Sequence, residues 1–351
     1  MKNVRNAFFM KKLRRMRRGQ GVFMTIREVA SLAGVSAAAV SRYLNGGSLS
    51  EEKRERIREA INETGYQPDS AARLMRTGKV NQIGVIVPKI CSDAVSRIVE
   101  GVTAICRERG FLVVLCNTDG NRELEKNYIT FLQNRNAAGL IIMGVSMTPA
   151  VEDALKNCQV PFVITGQNYE AFPCVFNDDF HAVYALMDMV IKRGRRKIAY
   201  LGVSDEDLAA GSERRRGAVT SAVDSGIAEE SLVIENCSFS AASGYAAMEK
   251  VLMEHPDTDG VVCATDTIAV GARAAIRKAG RKVPEDISIA GVGDSWMDEF
   301  MDPPLTTAQL FHLQCGKDAA KMLFHMIDGD DSDGPMRQTL LTYRIVERDS
   351  I

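Results

Sequence analysis

Short apolar runs alternate with amphipathic stretches from residue 82 to the end of the chain. The apolar runs read IGVIVP, FLVVLCNT, AGLIIMG, PFVITG, CVFN, KIAYLG, LVIEN, GVVCAT and ISIAGVG, and helical patterns lie between most of them, as at residues 95–108 and 123–134. Continuous apolar strands that alternate with helices are typical of parallel sheets covered on both faces. Because this stretch is longer than a single hydrophobic core usually accommodates, it predicts two α/β subdomains facing across a cleft. Ligands should bind there at the carboxyl ends of the strands.

A different pattern, with a helical period, fills residues 25–45. Thr25 and Glu28 form a capping box, and Ile26, Val29, Ala30 and Ala33 then fall on one helical face. Gly34 can adopt the positive φ that ends this helix, and Ser36 can cap a second helix running to about residue 44. Two short helices joined by a Gly-containing turn fit a DNA-reading helix-turn-helix or an ordinary helical hairpin equally well.

The residues that follow this pair of helices predict a third helix and a very short fourth one. Ser50 can cap the stretch EEKRERIREAINET, whose inward face is supplied by Ile57 and Ile61. After the extended break at Pro68, Asp69 can cap the segment SAARLMR. A helix this short is unstable alone in water, so we expect it to order only against a partner.

Charge is distributed unevenly although the net charge is only −1. Residues 1–79 carry 17 Lys and Arg against 7 Asp and Glu, whereas the rest carries 27 against 38. A basic head on an acidic body indicates a polyanionic partner at one end. The 351 residues predict two or three domains, and the eight scattered cysteines favour free thiols in a reducing cytosol. Without a membrane-spanning run or a secretory h-region, we expect a cytoplasmic protein with no membrane partner.

Residues 1–24 hold eight Lys and Arg and no acid. They are either a basic arm that adds phosphate attraction or the product of a start site placed upstream of Met24, which directly precedes the capping box. The second interpretation is favoured, and disorder is expected in both cases.

Several motifs together resemble the lac repressor family of transcription regulators. TIREVASLAGVSAAAVSRYLNG and GYQPDSAARLMRTGKVNQIGVIVP match the family's head, and CATDTIAVGA, VPEDISIAGVGD and PPLTTAQ match its effector domain. The runs PKICSDAVSRIVEG, VITGQ and CATDTIAVGA are most similar to the sucrose-operon repressor branch. The resemblance implies a helix-turn-helix domain at 25–68, a hinge helix and linker at 69–80, and an effector-binding and dimerisation domain of two interleaved α/β subdomains at 81–351. That domain would be similar to periplasmic sugar-binding proteins, with three strands crossing between the subdomains.

The same resemblance implies a homodimer that binds a pseudo-palindromic operator in double-stranded DNA. Ala37 and Ala38 stand where the family reads bases in the major groove, and Arg42 stands where it has a base- or phosphate-contacting Arg. With two alanines there, methyl contacts and DNA shape should carry more of the specificity. In the hinge helix, Met75 takes the place of a side chain that wedges into the minor groove. The remaining DNA contacts are expected from Thr25, Ser36, Ser41, Asn45, Ala72, Arg73 and Arg76.

For the effector, the resemblance implies a sugar held in the cleft. Phe239 would stack on a sugar face, and the planar guanidinium of Arg214 would clamp hydroxyls or a carboxylate. Gly293 stands where the family often has a ligand-binding Asp, which favours a differently shaped ligand. The other expected contacts are Ser92, Asp93, Gln167, Asp178, Thr265, Asp266 and Asp294. Several of these side chains could instead cap helices, so we expect about half of the set to touch the ligand.

Enzyme motifs are missing from the sequence. It has no GxSxG elbow, HExxH or P-loop, and its four histidines lack metal-ligand spacing, so neither catalysis, a cofactor nor a metal is expected. The resemblance thus implies a repressor of a carbohydrate-utilisation operon whose operator affinity is controlled by a small sugar in the cleft. The alternatives are control by a phosphocarrier-protein corepressor and a sugar-binding protein without a DNA role. No heptad tail follows the stretch LLTYRIVERDS, which favours a dimer over a tetramer.

Overall fold

The computed structural model describes residues 25–44, 47–64, 66, 81–144, 147–329 and 335–351. The predictions for the basic arm (1–24), for Asn45 and for the hinge segment with Ala72, Arg73, Met75 and Arg76 lie outside these residues. The chain divides into two compact units, Met1–Val80 and Asn81–Ile351, here called the head and the body.

Three helices build the described part of the head: α1 (Ile26–Leu32), α2 (Ala37–Leu44) and α3 (Glu51–Thr64). The capping box is present at the start of α1, where the Thr25 hydroxyl accepts from the Glu28 amide and the Glu28 carboxylate accepts from the Thr25 amide at 2.7 Å. Gly34 has a φ of +62° and turns the chain between α1 and α2. The small core is made by fully buried side chains from all three helices, Val29, Val40 and Ile57.

Arg56 fixes the turn between α1 and α2 from the neighbouring helix α3. Its guanidinium donates to the carbonyl oxygens of Ala33 at 2.9 Å and Gly34 at 2.6 Å. These carbonyls lie at the end of α1, where backbone acceptors have no partner within the helix. A single arginine therefore links the third helix to the backbone of the helix-turn-helix.

The body consists of two six-stranded sheets with helices on their faces. Its strands are β1 (Gln82–Val87), β2 (Leu112–Asn117), β3 (Gly139–Met143), β4 (Phe162–Thr165), β5 (Cys174–Asn177), β6 (Ile198–Gly202), β7 (Val233–Asn236), β8 (Gly260–Cys263), β9 (Ser288–Val292), β10 (Thr306–Leu310), β11 (Gln338–Leu341) and β12 (Tyr343–Val346). Its α-helices are α4 (Asp93–Glu108), α5 (Arg122–Asn134), α6 (Pro149–Lys156), α7 (Asp179–Lys192), α8 (Arg214–Asp224), α9 (Ala241–Glu254), α10 (Asp266–Lys278) and α11 (His312–Asp328). A π-helical segment, Leu208–Glu213, leads directly into α8.

The two sheets define two lobes. The strand order is β11-β5-β4-β3-β1-β2 in the first lobe and β12-β10-β9-β8-β6-β7 in the second. All pairs are parallel except β10 with β12. The α/β class and the parallel sheets predicted from the apolar runs are confirmed.

The chain passes between the lobes three times. It leaves the first lobe after β5, returns after β10 to begin α11, and crosses again between β11 and β12. Helix α11 packs on α4 and contributes Cys315, Ala319 and Leu323 to the first lobe's core. The lobes are thus interleaved in sequence although each has its own sheet.

Helices α4 and α11 approach each other closely through glycines. A Cβ on Gly316 would overlap the carbonyl oxygen of Ile98, and a Cβ on Gly101 would overlap that of Leu313. The absence of a side chain at both positions lets the two backbones meet. This contact anchors α11 to the first lobe.

Two parts of the body differ from the prediction. The stretch LLTYRIVERDS was expected to be one strand, but Thr342 divides it between β11 of one sheet and β12 of the other. Strand β10, with the sequence TTAQL, was not predicted, because its inward residues include the buried hydroxyls of Thr306 and Thr307 rather than an apolar run.

Candidate functional site

The exposed face of α2 in the head presents few side chains. Ala38 and Arg42 are exposed and lie four residues apart, on the same side of the helix. Ala37 and Ser41 are half-buried, and Ala37 packs against the head's core. Of these four residues, only Ala38 and Arg42 are exposed on the surface of the head.

Thr25 and Ser36 serve as helix caps. The Thr25 hydroxyl takes part in the capping box of α1, and the Ser36 hydroxyl accepts from the Ala39 amide at 3.2 Å. Both residues lie at a helix start, a position where first-turn amides can hold a phosphate. A DNA-contacting role of these two residues stays a prediction.

In the body, the carboxyl ends of the two sheets face each other across a cleft. The Arg97 guanidinium, on the first lobe, donates to the Asp294 carbonyl oxygen of the second lobe at 2.8 Å. Arg122 of the first lobe also forms an ion pair with Glu206 of the second. The sides of the cleft are therefore in contact at these points in the conformation described.

Arg214 lies at the start of α8 in the second lobe and is 7% exposed. Its Nε donates to the Asp179 carboxylate at 2.7 Å, and Nη1 donates to the carbonyl oxygen of Ala264. Asp179, which the sequence did not suggest, neutralises the only charge that Arg214 brings. A buried, paired and fixed guanidinium is a rigid donor for a ligand.

Gln167 and its surroundings form the opposing wall in the first lobe. Gln167 is 3% exposed, and its side-chain oxygen accepts from the Tyr169 hydroxyl at 2.6 Å. Burial raises the pKa of Tyr169, as do the carboxylates of Asp207 from the other lobe and Glu125. Burial also raises the pKa of Glu125 to about 7. Tyr169, Glu125 and Asp207 were not predicted as part of the site.

Four predicted residues lie at helix starts along the cleft. Thr265 caps α10 by accepting from Ile268 at 3.2 Å, and Asp178 caps α7 by accepting from His181 at 3.2 Å. Ser92 stands at the N-cap of α4 without a side-chain cap bond, and the next residue, Asp93, forms an ion pair with Arg97 at 3.0 Å. The Ser92 hydroxyl is therefore not used as a cap, whereas Thr265 and Asp178 already have structural partners.

Asp266 belongs to a buried network in the second lobe. Its carboxylate accepts from the Thr307 hydroxyl at 2.6 Å and from the Ser295 amide at 3.1 Å. The Asp298 carboxyl is also fully buried, and burial together with the charge of Asp266 raises the pKa of Asp298 to about 9. Burial raises the pKa of both carboxyls, so the Asp266–Asp298 pair binds a proton more readily than two separate carboxyls would.

Asp294 is likewise held by its own lobe. Its two carboxylate oxygens accept from Arg348 and from Gln309, each at 2.7 Å. Phe239 follows the edge strand β7 and is 47% exposed, so a face of its ring is accessible. The ligand roles of Asp266, Asp294 and Phe239 stay predictions, and Phe239 is the most accessible of the three.

His312, which the sequence did not suggest, begins α11 beside the second crossover. It is 7% exposed, and its Nδ1 atom is buried with no partner among the described residues. Burial, together with the charges of Arg214 and Arg97, lowers the pKa of His312 to about 3. The imidazole is therefore neutral and lies close to the arginines of the cleft.

Comparison with known families divides the chain in the same way. Residues 25–69 match the family described as bacterial regulatory proteins, lacI family. Residues 80–346 match periplasmic binding proteins and the sugar binding domain of the LacI family.

Two relatives and a solved structure match most of the chain. The chain is 29% identical to the transcriptional regulator RegA of Clostridium saccharobutylicum over 93% of this chain and 98% of that protein. It is 29% identical to the sucrose operon repressor of Staphylococcus xylosus over 86% and 93%. The lac repressor dimer bound to operator and the anti-inducer ONPF superimposes with a TM-score of 0.83 and 25% identity, covering 93% of this chain and 99% of that one. Within the described ranges, none of the helices has the length and apolarity needed to span a membrane.

Proposed function

The chain belongs to the LacI family of bacterial regulatory proteins, and from that premise we propose that it represses a carbohydrate-utilisation operon. It acts as a homodimer that binds a pseudo-palindromic operator, and a small sugar in the body's cleft sets its affinity for that DNA. It is a cytoplasmic regulator and not an enzyme. The observation that carries the proposal is a helix-turn-helix with a capping box in the same chain as a two-lobed body with a polar cleft.

The head binds DNA through helix α2 in the major groove. Ala38 offers a methyl group and Arg42 a fork of donors on one exposed face, which suits contact with a thymine methyl and with guanine or phosphate. Ala37 contributes less to reading, because it packs partly inward. The amides at the two capped helix starts, together with Ser41 and Asn45, hold phosphates and set the register.

Residues 69–80 link head and body as a hinge helix and linker. The division of the chain at Val80 and the separate family matches at 25–69 and 80–346 support this boundary. Met75 inserts into the central minor groove, and Ala72, Arg73 and Arg76 flank it along the backbone. We expect Met75→Ala to weaken operator binding and DNA bending while effector binding is unchanged. An unaltered operator affinity would contradict this role.

Control by the effector is a shift between cleft conformations. The contacts of Arg97 with Asp294 and of Arg122 with Glu206 close the cleft in the form described here. A sugar moves the balance only by binding one form better than the other. The three crossovers link the lobes, so a change in cleft angle rotates one lobe relative to the other and repositions the chain that leads to the hinge.

The test uses the full-length protein and fluorescently labelled DNA from upstream of its own gene. Anisotropy should show binding that weakens steeply with salt, because phosphate contacts release counterions. Adding single sugars should change the operator affinity for at least one of them. Binding to every unrelated DNA with equal affinity would refute a sequence-specific regulator, and an affinity that no sugar changes would refute sugar control.

A further inference from the structure

Three buried polar atoms on elements of the first lobe have no partner among the described residues. They are Oγ1 of Thr165 at the end of β4, Oδ1 of Asn177 at the end of β5, and Nδ1 of His312 at the start of α11. The three residues are 0%, 5% and 7% exposed. Buried polar atoms are nearly always paired, so three such atoms in one place require an explanation.

The fold brings these atoms to one patch. Thr165 pairs with Val175 in the parallel sheet, and Asn177, two residues further, points to the same face. The first turn of α11 covers that face, where the Cys315 thiol donates to the Val175 carbonyl oxygen at 3.3 Å. His312 is one turn before Cys315, so its ring lies over the ends of the same two strands.

The patch adjoins Arg214 and belongs to the floor of the cleft. Asp179, which holds Arg214 at 2.7 Å, is two residues after Asn177. The charges of Arg214 and Arg97 both act on His312. A molecule bound between the lobes beside Arg214 would therefore lie against the patch.

The ion pairs along this boundary disfavour an anionic ligand. Three arginines at this boundary are paired with carboxylates: Arg214 with Asp179, Arg97 with Asp93, and Arg122 with Glu206. Glu125 and Asp207 add further acids near Tyr169. A phosphate or carboxylate bound at Arg214 would compete with the buried Asp179 carboxylate and lie near further acidic groups, at a cost in free energy.

The uncharged groups of the patch match hydroxyls instead. A neutral imidazole has one N–H donor and one acceptor nitrogen, the Asn177 amide has both kinds of group, and the Thr165 hydroxyl donates and accepts. A sugar hydroxyl also donates and accepts, so it can satisfy such groups without bringing a charge. A site built to hydrogen-bond hydroxyls discriminates strongly against ligands that lack them.

We propose that His312, Asn177 and Thr165 bind hydroxyl groups of an uncharged sugar or polyol, and that the cleft excludes phosphorylated and carboxylated sugars. This inference rests on the proposed function, because it assigns the chemical class of that same effector. His312 is its specificity-determining residue.

The ligand class is tested by calorimetric titration of the full-length protein with matched pairs. The pairs are glucose with glucose 6-phosphate and with gluconate, fructose with fructose 6-phosphate, ribose with ribose 5-phosphate, and sucrose with sucrose 6-phosphate. At least one uncharged sugar should bind, and its charged counterpart should bind at least about 10-fold more weakly. A charged member that binds as tightly as its neutral partner, or a panel in which no uncharged sugar binds, would overturn the inference.

The role of His312 is tested with the sugar that binds best in this panel. His312→Phe keeps a planar ring but removes both nitrogens, and should weaken binding by about 10-fold or more, whereas His312→Gln restores a donor and an acceptor and should recover most of it. Without sugar, His312→Phe should melt at the same temperature as the parent or higher, because an unpaired buried nitrogen is gone. A merely structural histidine would instead lower the melting temperature and leave the preference among sugars unchanged.

His255→Phe is the matched control. His255 is exposed and follows α9, near the amino ends of the strands, whereas the cleft lies at their carboxyl ends. Equal losses in His312→Phe and His255→Phe, or full sugar affinity in His312→Phe, would contradict the assignment. Operator anisotropy without sugar separates the two proposals. Parent protein that fails to bind DNA contradicts the proposed function, whereas parent protein that binds DNA and sugar but is insensitive to His312→Phe contradicts only this inference.

Discussion

Substitution of Arg214 by Met would leave the Asp179 carboxylate buried without its counter-charge. The two side chains are 9% and 4% exposed and are joined at 2.7 Å. Removing one partner of a buried ion pair costs about 3–5 kcal/mol, because the remaining charge is desolvated and unpaired. Replacing both partners by apolar residues of similar size is often close to neutral.

We therefore expect a strongly non-additive cycle among Arg214→Met, Asp179→Leu and the double variant. Each single substitution should lower the free energy of unfolding by about 3–5 kcal/mol, and the double variant should lose at least about 2 kcal/mol less than the sum of the two. Urea denaturation of the full-length protein, followed by circular dichroism at fixed pH, measures this coupling. The exposed pair of Lys192 with Asp188 provides the control, and Lys192→Met should leave the body's stability unchanged.

The pH dependence of Arg214→Met provides a second signature. Burial already raises the pKa of Asp179, and Arg214 opposes that rise. Without Arg214 the folded-state pKa should rise further above its unfolded value, so the folded variant retains a proton that the unfolded chain loses as pH increases. The deficit of the variant should thus shrink as pH falls from neutrality toward 5. Additive losses, or a deficit independent of pH, would refute this account of the pair.

Three further changes test other parts of the fold. Arg56→Met removes two hydrogen bonds to the backbone at the turn between α1 and α2. It should destabilise the head by about 1–2 kcal/mol, measured as faster amide hydrogen exchange in residues 26–44. Unchanged exchange would show that the turn is stable without Arg56. Gly316→Ala places a methyl group on the carbonyl oxygen of Ile98 and should cost the body about 1–3 kcal/mol in urea denaturation, and a neutral result would mean that α4 and α11 separate easily. Burial raises the folded-state pKa of Glu125 from 4.5 to about 7. The free energy of unfolding should therefore fall by about 3 kcal/mol as pH rises through that window. Glu125→Gln should remove this pH dependence, and an equal pH dependence in both proteins would refute the raised pKa.

The sequence predicted those parts of the fold whose pattern is local. Strands such as β3, β6 and β9 are buried along their whole length and appear as uninterrupted apolar runs. The capping box and Gly34 mark the helix-turn-helix by their own spacing. Strand β10 was not predicted, because it buries Thr306 and Thr307 rather than apolar residues. Their hydroxyls form hydrogen bonds with residues distant in sequence, the backbone of Arg348 and the carboxylate of Asp266.

The site was less predictable, because its contacts also join residues that are distant in sequence. Arg214 was found by resemblance, but its partner Asp179 is 35 residues away in sequence and has no motif of its own. In the sequence, His312 and Arg214 are separated by the second crossover between the lobes. The sequence pattern of His312 indicated only that it lacks the spacing of a metal ligand. Asp266 and Asp294 carry the residue type expected of a ligand contact, yet hydrogen bonds within the second lobe already occupy their carboxylate oxygens. Competition of this kind is decided by three-dimensional contacts that no local pattern contains.

The interleaved connection of the lobes also determines the order in which they can be completed during synthesis. The second lobe draws nearly all of its sheet from one continuous segment between β6 and β10, and lacks only the edge strand β12. The first lobe begins earlier along the chain but needs α11 for its core and β11 for its sheet edge. On the ribosome, the lobe that emerges first must therefore wait with part of its apolar surface uncovered until the second lobe has been made. The nascent chain is consequently most in need of chaperone protection during translation of residues 178–311, a span that supplies neither of those missing elements.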